Sequence, residues 1–419
     1  MPSFVEDLAT RPWAHKIKLL QKYIKTFCLF IDMWIRRYVP QICPVCKKSS
    51  IIEKRNNVSY AYHYNCYWYS KKYFITTKIV DTNPIKTPHL PCLTRFNKIE
   101  ISYGCTHDCI YCYSYTRFVR GLVILKERLI EMVKKQLSIM PIVKPIYLSP
   151  NSDPFQEISI HITAHLVKLL IEKNLSFYFV TKGNVSKKIL ELIEGYPYVD
   201  IQITITTLDE EKRKLIEPHA PRIKARLNTI KKFVDIGLNP IVRIDPLLPY
   251  LTDDEDELNS IVKEVISLGA RHIVASYLCI TPLIFNFLKE AFIRAGFNNL
   301  IPKYVKLFDN KIYSYTIANS KYRYKKLKKI SELIKIYGNS EIGFSTCLEG
   351  VLFKKLWLNT NLCTPIYLPV MKRQGDKFKP IKKCLLCIHR RCENCNNLTL
   401  GDSQILLNNL YYNIFNYEV

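Results

Sequence analysis

Between residues 97 and 290 the chain alternates short apolar runs with longer amphipathic runs. The amphipathic runs carry apolar residues three and four positions apart, which predicts helices. They read VILKERLIEMVKKQLS, ITAHLVKLLIEKN, KKILELIEGY, RLNTIKKFVDIG and ELNSIVKEVISLG. The apolar runs are rich in Ile, Val and Phe, which predicts strands buried on both faces. They cover residues 99–103, 146–149, 177–181, 201–206, 240–245 and 272–277.

Six buried strands joined by helices predict an α/β fold with a parallel sheet and right-handed crossovers. Their number and spacing indicate a partial (β/α)6 barrel of the TIM type, whose working residues lie at the carboxyl ends of the strands. Three of the predicted helices end at Asn174, Gly237 or Gly269. These residue types adopt the left-handed conformation that commonly follows a helix.

The rest of the chain divides around this predicted barrel. We expect an amphipathic helical lead-in at 1–40, a Tyr-rich Cys/His module at 41–95, the barrel at 96–290, and a helical, Cys-rich extension at 291–419.

Two apolar stretches are candidates for membrane spans, and neither has the features of one. The run at 27–35 is too short to span a bilayer and contains Asp32. The run at 273–287 contains Pro282 and Asn286, which predicts a strand followed by a helix. The N-terminus also lacks the arrangement of a signal peptide. We therefore expect a cytoplasmic protein with no membrane partner, whose 15 cysteines serve as reduced metal ligands.

The formal net charge of the 419-residue chain is +26. Such an excess of Lys and Arg favours a polyanionic partner, because basic side chains release counterions from nucleic-acid phosphates. A lysine-rich surface that serves solubility or thermal stability is the alternative.

The segment GCTHDCIYCYSY places Cys105, Cys109 and Cys112 in C-x3-C-x2-C spacing, directly after the first predicted strand. Three thiolates in one loop can each bind one iron of a [4Fe-4S] cluster and leave the fourth iron without a protein ligand. The amino and carboxylate groups of S-adenosylmethionine (SAM) can chelate that iron. Tyr111 and Tyr113 flank Cys112, where they can pack against the cluster or adenine. Zinc or buried free thiols are the alternatives, although structural zinc usually takes four ligands in CxxC pairs.

The chain resembles the radical SAM superfamily, and within it the group related to spore photoproduct lyase. The resemblance covers roughly 83–290. It includes the Cys triad, YLSPNSDPFQ, FVTKGNV, ITITTLDEEKRKLIEPHAPRIKARL and IVRIDPLLPYLTDDEDE. It implies reductive cleavage of SAM to a 5′-deoxyadenosyl radical, with an electron donor such as ferredoxin or flavodoxin.

The resemblance also implies which residues contact SAM. Ser152 and Asp153 would lie beside the amino and carboxylate groups, Lys182 would bind the carboxylate, and Thr204 the ribose hydroxyls. Arg243 points into the barrel if Val242 faces the helices, where it would bind SAM or an anionic part of the substrate.

One departure from spore photoproduct lyase bears on the reaction. The hydrogen-donating cysteine of that enzyme corresponds to Pro150, which has no thiol. Cys279, after the sixth predicted strand, is an alternative thiol, although a small buried cysteine of the core explains it equally simply. The resemblance therefore supports the radical chemistry more strongly than the repair of a DNA lesion.

The N-terminal module pairs Cys43 and Cys46 with His63 and Cys66, a spacing that can close on Zn²⁺. Cys92 is an alternative to His63 as the fourth ligand. Aromatic and basic residues surround the second pair and suit stacking on RNA or single-stranded nucleic acid. They are Tyr60, Tyr62, Tyr64, Tyr67, Trp68, Lys71 and Lys72.

The C-terminal segment CLLCIHRRCENC concentrates four further thiols within twelve residues, which indicates a metal site. The segment contains Cys384, Cys387, Cys392 and Cys395. A closed zinc site is one interpretation. An auxiliary Fe–S cluster that also uses Cys347 and Cys363 is the one we favour.

Three functions are consistent with these features. The first is a radical SAM enzyme that acts on DNA or RNA, favoured by the charge and the zinc module. The second is a radical SAM enzyme that modifies a peptide or protein, favoured by the C-terminal cysteines. The third is a non-catalytic zinc and nucleic-acid-binding protein, which requires zinc at the Cys triad.

Overall fold

A computed structural model describes residues 51–55, 58–62, 74–88, 93–116, 118, 120, 122–312, 314–338, 340–349, 351–360, 362 and 366–381. These residues belong to two compact units. The first contains residues 51–79 and 122–125, and the second begins at residue 80 and contains the predicted barrel.

The strands and helices are numbered in chain order. The strands are Ile51–Arg55 (β1), Val58–Tyr62 (β2), Phe74–Val80 (β3), Ile85–Lys86 (β4), Asn97–Ile99 (β5), Ser102–Tyr103 (β6), Leu122–Glu127 (β7), Ile142–Val143 (β8), Ile146–Leu148 (β9), Phe177–Thr181 (β10), Val199–Thr204 (β11), Ile241–Leu247 (β12), His272–Tyr277 (β13), Cys279–Ile280 (β14), Asn310–Ile312 (β15), Tyr315–Ile317 (β16), Gly343–Thr346 (β17), Met371–Gln374 (β18) and Lys377–Pro380 (β19). The helices are Leu129–Leu137 (α1), Ile160–Glu172 (α2), Lys187–Ile193 (α3), Glu210–Ile216 (α4), Ile223–Asp235 (α5), Glu255–Ser267 (α6), Pro282–Arg294 (α7), Leu300–Leu307 (α8) and Ser320–Tyr337 (α9).

One eight-stranded sheet forms the wall of the barrel, in the order β17-β13-β12-β11-β10-β9-β5-β4. Every neighbouring pair from β5 to β17 is parallel, and β4 joins β5 in the antiparallel direction. Helices connect most of these strands, as the sequence predicts. The fold is therefore α/β with a partial TIM-type barrel at its core.

Side chains alternate between the two faces of this sheet, as the period of a strand requires. Val242 and Ile244 of β12 belong to the large apolar core that also contains the buried faces of the helices. Arg243 lies between them in sequence and therefore faces the barrel interior, as predicted. Tyr178 and Val274 also face inward and pack in a separate apolar cluster.

The helix ends and the apolar run at 273–287 match their predictions. Asn174, Gly237 and Gly269 have φ values of 57°, 79° and 90°, so the left-handed conformation is present after all three helices. The apolar run forms β13 and then α7, with Pro282 in the first turn of the helix. In the described part of the chain no helix is long and apolar enough to cross a membrane.

Two predictions of secondary structure are wrong. The run at 99–103 is not one strand, because β5 ends at Ile99 and the Ile101 amide bonds to the Ser149 hydroxyl instead of continuing the ladder. Residues 122–127 form β7 rather than the start of a helix, and the left-handed Arg128 separates them from α1. A seventh parallel strand, β17, lies outside the predicted barrel segment 96–290.

Candidate active site

The three cysteines of the triad lie on one loop at the carboxyl end of the barrel sheet. This cluster loop, residues 104–112, follows β6 and ends at a 3-10 helix, Tyr113–Thr116. Gly104 and Asp108 adopt positive φ, and the Cys112 amide donates to the Cys109 carbonyl at 3.1 Å. The charge of a Cys112 thiolate contributes to the raised pKa of both Cys105 and Cys109, so the Cys112 sulfur atom lies near both of them.

The environment of Cys105 and Cys109 favours the neutral form of these two thiols in the unloaded chain. Burial, and next the charge of Asp153, raise the pKa of Cys105 to about 12. Burial also raises the pKa of Cys109 well above its usual value. A metal must therefore displace protons when it binds.

The donor set fits a [4Fe-4S] cluster held by Cys105, Cys109 and Cys112, because such a cluster takes thiolates and distributes them over different irons. A single zinc ion instead needs all of its sulfur ligands at about 2.3 Å. Among the residues that the structure describes, no three His, Cys, Asp or Glu side chains converge closely enough to hold one ion.

A buried ion pair between Glu217 and Arg226 holds the cluster loop in place. Glu217 is fully buried and pairs with Arg226 of α5 at 2.5 Å. The same carboxylate accepts hydrogen bonds from the Tyr111 hydroxyl and from the Thr206 hydroxyl, the latter at 2.9 Å. Burial alone would raise the pKa of Glu217, but the charges of Arg226 and Lys182 outweigh it and lower the pKa to about 2. Glu217 is therefore ionised and fixes Tyr111 between Cys109 and Cys112.

Backbone hydrogen bonds strengthen this anchor. The Ile110 amide donates to the Ile216 carbonyl at 3.0 Å, and the His219 amide donates to the His107 carbonyl at 3.2 Å. The segment 216–219 therefore runs alongside the cluster loop and holds it at two points.

Asp108 fixes the outer side of the loop. Its carboxylate accepts bonds from Arg120 Nε at 2.6 Å and Nη2 at 3.0 Å, and from the Tyr115 hydroxyl at 3.0 Å. This bidentate pairing ties the loop to the residues that follow the 3-10 helix.

Asp153, a predicted SAM contact, is buried with both carboxylate oxygens bonded to protein. One oxygen accepts from the Thr181 hydroxyl at 2.8 Å and from the Phe155 amide at 2.9 Å. The other accepts from the Lys182 amide at 2.7 Å and lies 3.6 Å from His107 Nδ1. Asp153 therefore links the end of β9, the end of β10 and the cluster loop.

Lys182 lies close to the triad. Its side chain is half-buried, and its ammonium group lies 5.5 Å from the centre of the Tyr111 ring. Burial alone would lower the pKa of Lys182, but the neighbouring Cys109 and Glu217 raise it above its usual value. The structure thus places a cation next to the predicted cluster site.

Ser152, Tyr113 and Thr204 lie at the same edge of the sheet. The Ser152 hydroxyl accepts a bond from Ser102 at 3.1 Å, and the Tyr113 hydroxyl donates to the Pro150 carbonyl. Thr204 is buried at the end of β11. The segment after β9 therefore packs directly against the cluster loop.

Arg243 lies inside the barrel within a polar network. It donates to Gln202 at 2.9 Å and to Asp245 at 3.0 Å. Asp245 also accepts a bond from the Ser276 hydroxyl. Burial alone would raise the pKa of Asp245, but Arg243 keeps it below its usual value.

Of the remaining predicted metal ligands, the structure describes Cys347. Cys347 follows β17, and its amide bonds to the Ala275 carbonyl at 3.0 Å. Cys279, the alternative thiol, follows β13, and burial raises its pKa to about 12. All other predicted ligands lie outside the described residues, namely Cys43, Cys46, His63, Cys66, Cys92, Cys363, Cys384, Cys387, Cys392 and Cys395.

Sequence reasoning missed the residues that hold the loop. Glu217 and Arg226 stand in the segment EPHAPRIKARL, which carried the family resemblance, but no role was predicted for either. Asp108 and Arg120 were also missed. No separate signal marks Glu217 and Arg226 in the sequence, because the same motif contains several other charged residues.

Residues 99–260 match the family model of the radical SAM superfamily. This part of the chain is similar to the radical SAM superfamily, and that similarity implies SAM and a [4Fe-4S] cluster as cofactors.

Relatives are similar over the same part of the chain. An uncharacterized protein of Acidianus two-tailed virus is 27% identical over 199 residues, which cover 43% of this chain and 66% of the relative. An uncharacterized protein of Methanocaldococcus jannaschii is 26% identical over 184 residues, which cover 41% and 66%. One from Mycobacterium tuberculosis is 26% identical over 206 residues, which cover 44% and 59%. The matched part thus spans less than two thirds of each relative.

Solved structures show more distant similarity. Spore photoproduct lyase complexed with a dinucleoside spore photoproduct aligns with a TM-score of 0.49 and 12% identity, over 63% of this chain and 78% of that chain. SuiB of Streptococcus suis bound to S-adenosylmethionine aligns with a TM-score of 0.42 and 15% identity, over 61% and 51%.

Proposed function

We propose that this chain is a radical SAM enzyme that binds a [4Fe-4S] cluster through Cys105, Cys109 and Cys112 and acts on a nucleic acid. Bound there and reduced by a donor such as ferredoxin or flavodoxin, the cluster would supply the electron that splits SAM into methionine and a 5′-deoxyadenosyl radical. The observation that carries the proposal is the set of three thiols on one anchored loop at the carboxyl ends of the barrel strands.

Lys182 is the residue we assign to the carboxylate of SAM. It is a half-buried cation 5.5 Å from the Tyr111 ring, beside the triad. No hydrogen bond from its ammonium group to another described residue occupies it. A carboxylate next to this cation would gain a charge-assisted hydrogen bond.

Asp153 we assign to positioning rather than to direct contact with SAM. Both of its oxygens already accept bonds from Thr181, Phe155 or Lys182. It therefore orients the backbone of Lys182 relative to the cluster loop. Ser152, Thr204, Tyr111 and Tyr113 remain proposed to border SAM. Arg243 is proposed to meet the substrate inside the barrel.

The nucleic-acid substrate is proposed on the charge of the chain. The net charge is +26, and part of it is ordered on helix α9. Lys321, Lys325 and Lys328 are exposed on this helix at spacings of three and four residues, so they form one stripe. A row of cations at helical spacing suits the regular charges of a phosphate backbone.

Formation of 5′-deoxyadenosine tests the radical step. Anaerobically reconstituted, reduced protein incubated with SAM should release 5′-deoxyadenosine, and replacement of all three triad cysteines by Ala should abolish it. If the triple variant still releases the product, the triad is not the site of cleavage.

Salt-dependent binding tests the substrate class. The holoenzyme should bind RNA or DNA with an affinity that falls steeply as salt rises, because each phosphate contact releases counterions. Acidic and neutral peptides serve as the comparison. Binding of peptides without any salt-sensitive binding of nucleic acid would contradict the proposed substrate.

A further inference from the structure

A cavity lies beside the cluster loop, on the side of β4 and β5. Its volume is about 220 Å³, and its lining includes Lys86, Lys98, Lys126, Glu100, Tyr103 and Asn151. None of these residues has a role in the site described above. Cavities that enclose a whole drug-sized ligand measure about 300–1,000 Å³, so this one fits a smaller group.

Two lysines of the cavity face each other across a strand pair. Lys86 of β4 and Lys98 of β5 are direct partners in the antiparallel register, so their side chains project from the same face of the sheet. Like charges directly opposite each other destabilise a strand pair. Such a destabilising pair of lysines is expected where a bound anion lies between the two ammonium groups and offsets their repulsion.

The carboxylates nearby do not neutralise the cavity. Asp81 accepts bonds from both Lys86 at 2.9 Å and Lys126 at 2.8 Å, so one negative charge serves two lysines. Glu100 lies 3.7 Å from Lys98, beyond hydrogen-bond distance, and accepts a bond from the Asn151 amide at 3.2 Å. Three lysines thus face two carboxylates, and at least one positive charge remains.

An aromatic pair forms another wall of the cavity. The Tyr103 and Phe118 rings are stacked with centroids 5.0 Å apart, and both line the cavity. The ammonium of Lys126 lies 5.0 Å from the Tyr103 centroid, and its side chain is almost fully buried. A rigid apolar surface next to fixed cations suits the sugar that accompanies each phosphate of a nucleic acid.

We propose that this cavity binds one backbone phosphate of the nucleic-acid substrate, held between Lys86 and Lys98 with its sugar against Tyr103 and Phe118. The volume accommodates one phosphate with part of its sugar rather than a whole nucleotide. The inference rests on the proposed nucleic-acid substrate and states where the protein binds the backbone of that substrate.

The cavity is well placed for this role. Tyr103 precedes the cluster loop by one residue, and Asn151 adjoins Ser152, a proposed neighbour of SAM. A phosphate held there would fix the adjoining nucleotide near the reacting centre. That placement is what a positioning contact supplies to a reaction that abstracts one particular hydrogen.

The test compares Lys86→Gln, Lys98→Gln and the double variant with Lys187→Gln, all as reconstituted holoenzyme. Lys187 is a matched control because its side chain is 90% exposed on helix α3. The probes are fluorescent single-stranded RNA and DNA oligonucleotides and an acidic peptide, each titrated over a range of salt concentrations. Urea unfolding and iron content are measured for every variant.

We expect each single variant to bind the preferred oligonucleotide roughly tenfold more weakly, as for loss of a hydrogen bond to a charged group. The slope of log affinity against log salt is negative, and its magnitude should decrease by about 0.7–0.9 for each phosphate contact removed. Lys98→Gln relieves the opposed charges but also removes the cation 3.7 Å from the buried Glu100, so resistance to urea serves as a control and the salt slope is the deciding measurement. A purely structural lysine would lower that resistance without changing the salt slope.

Two results overturn the inference while leaving the proposed function intact. One is oligonucleotide binding by both lysine variants that equals that of the wild type and of Lys187→Gln. The other is weakened binding of the acidic peptide alone. If the wild type binds no oligonucleotide, both the inference and the proposed substrate class are wrong.

Discussion

Glu217→Gln is the substitution that most directly probes how the fold holds the cluster loop. It keeps the shape of the side chain and removes its charge, so Arg226 is left as a buried cation whose ion pair at 2.5 Å is lost. Breaking one side of a buried ion pair costs about 3–5 kcal/mol. Whole domains are stable by only about 5–15 kcal/mol, so the loss should be large.

Urea unfolding of the unloaded protein measures this loss. The double variant Glu217→Gln/Arg226→Met should be less destabilised than Glu217→Gln alone, because it leaves no unpaired charge. Tyr111→Phe is the matched control for the loop contact, since it leaves the ion pair and removes one hydrogen bond to a carboxylate, worth about 1.5–3 kcal/mol. Both Glu217→Gln and Tyr111→Phe should release iron to a chelator faster than the wild type.

A free energy of unfolding of Glu217→Gln within about 1 kcal/mol of the wild-type value would refute the role of this ion pair, because so small a difference is typical of a surface substitution. Unchanged iron release in Tyr111→Phe would separately show that Glu217 stabilises the barrel without positioning the loop.

Other predictions concern SAM binding and pH. Lys182→Ala should weaken equilibrium binding of SAM by roughly tenfold or more. Lys182→Arg should retain part of the affinity for SAM, and Lys187→Ala should retain all of it. Full affinity for SAM in Lys182→Ala would show that Lys182 does not bind SAM. His272 is buried on β13, and burial lowers its pKa from 6.5 to about 3. The folded state binds this proton less readily than the unfolded chain does. The stability contributed by neutral His272 is therefore complete above about pH 6.5. It is lost as the pH falls towards 3, by an amount on the order of 5 kcal/mol. His272→Gln should flatten this part of the stability profile measured by urea unfolding, and an unchanged profile would assign the acid sensitivity to other groups.

The parallel core was predictable because its strands are short apolar runs with clear ends. The predicted bounds of Phe177–Thr181 and His272–Tyr277 agree with the structure. In β7 the same pattern failed, because the apolar residues of Leu122–Glu127 run directly into those of α1 and only the left-handed Arg128 separates the elements. The four residues of β17 are too few to carry a periodic signal, and their place in the sheet depends on β13.

The triad was predictable for a different reason, since its spacing within one loop is the chemical signal itself. The residues that hold the loop were not predictable in the same way. Glu217 follows α4 and Arg226 lies on α5, and their pairing beneath Tyr111 exists only after the chain has folded. Asp153 illustrates the opposite case, because its sequence position suggests a ligand while its oxygens are bonded within the protein.

Metal and acid-labile sulfide analysis of anaerobically reconstituted protein tests the central claim most directly. Compared with the wild type, the variant with Cys105, Cys109 and Cys112 all changed to Ala should lose about four iron and four sulfide per chain, the content of one [4Fe-4S] cluster. Zinc bound by the triad in place of iron, or an iron content that the triple substitution leaves unchanged, would contradict it.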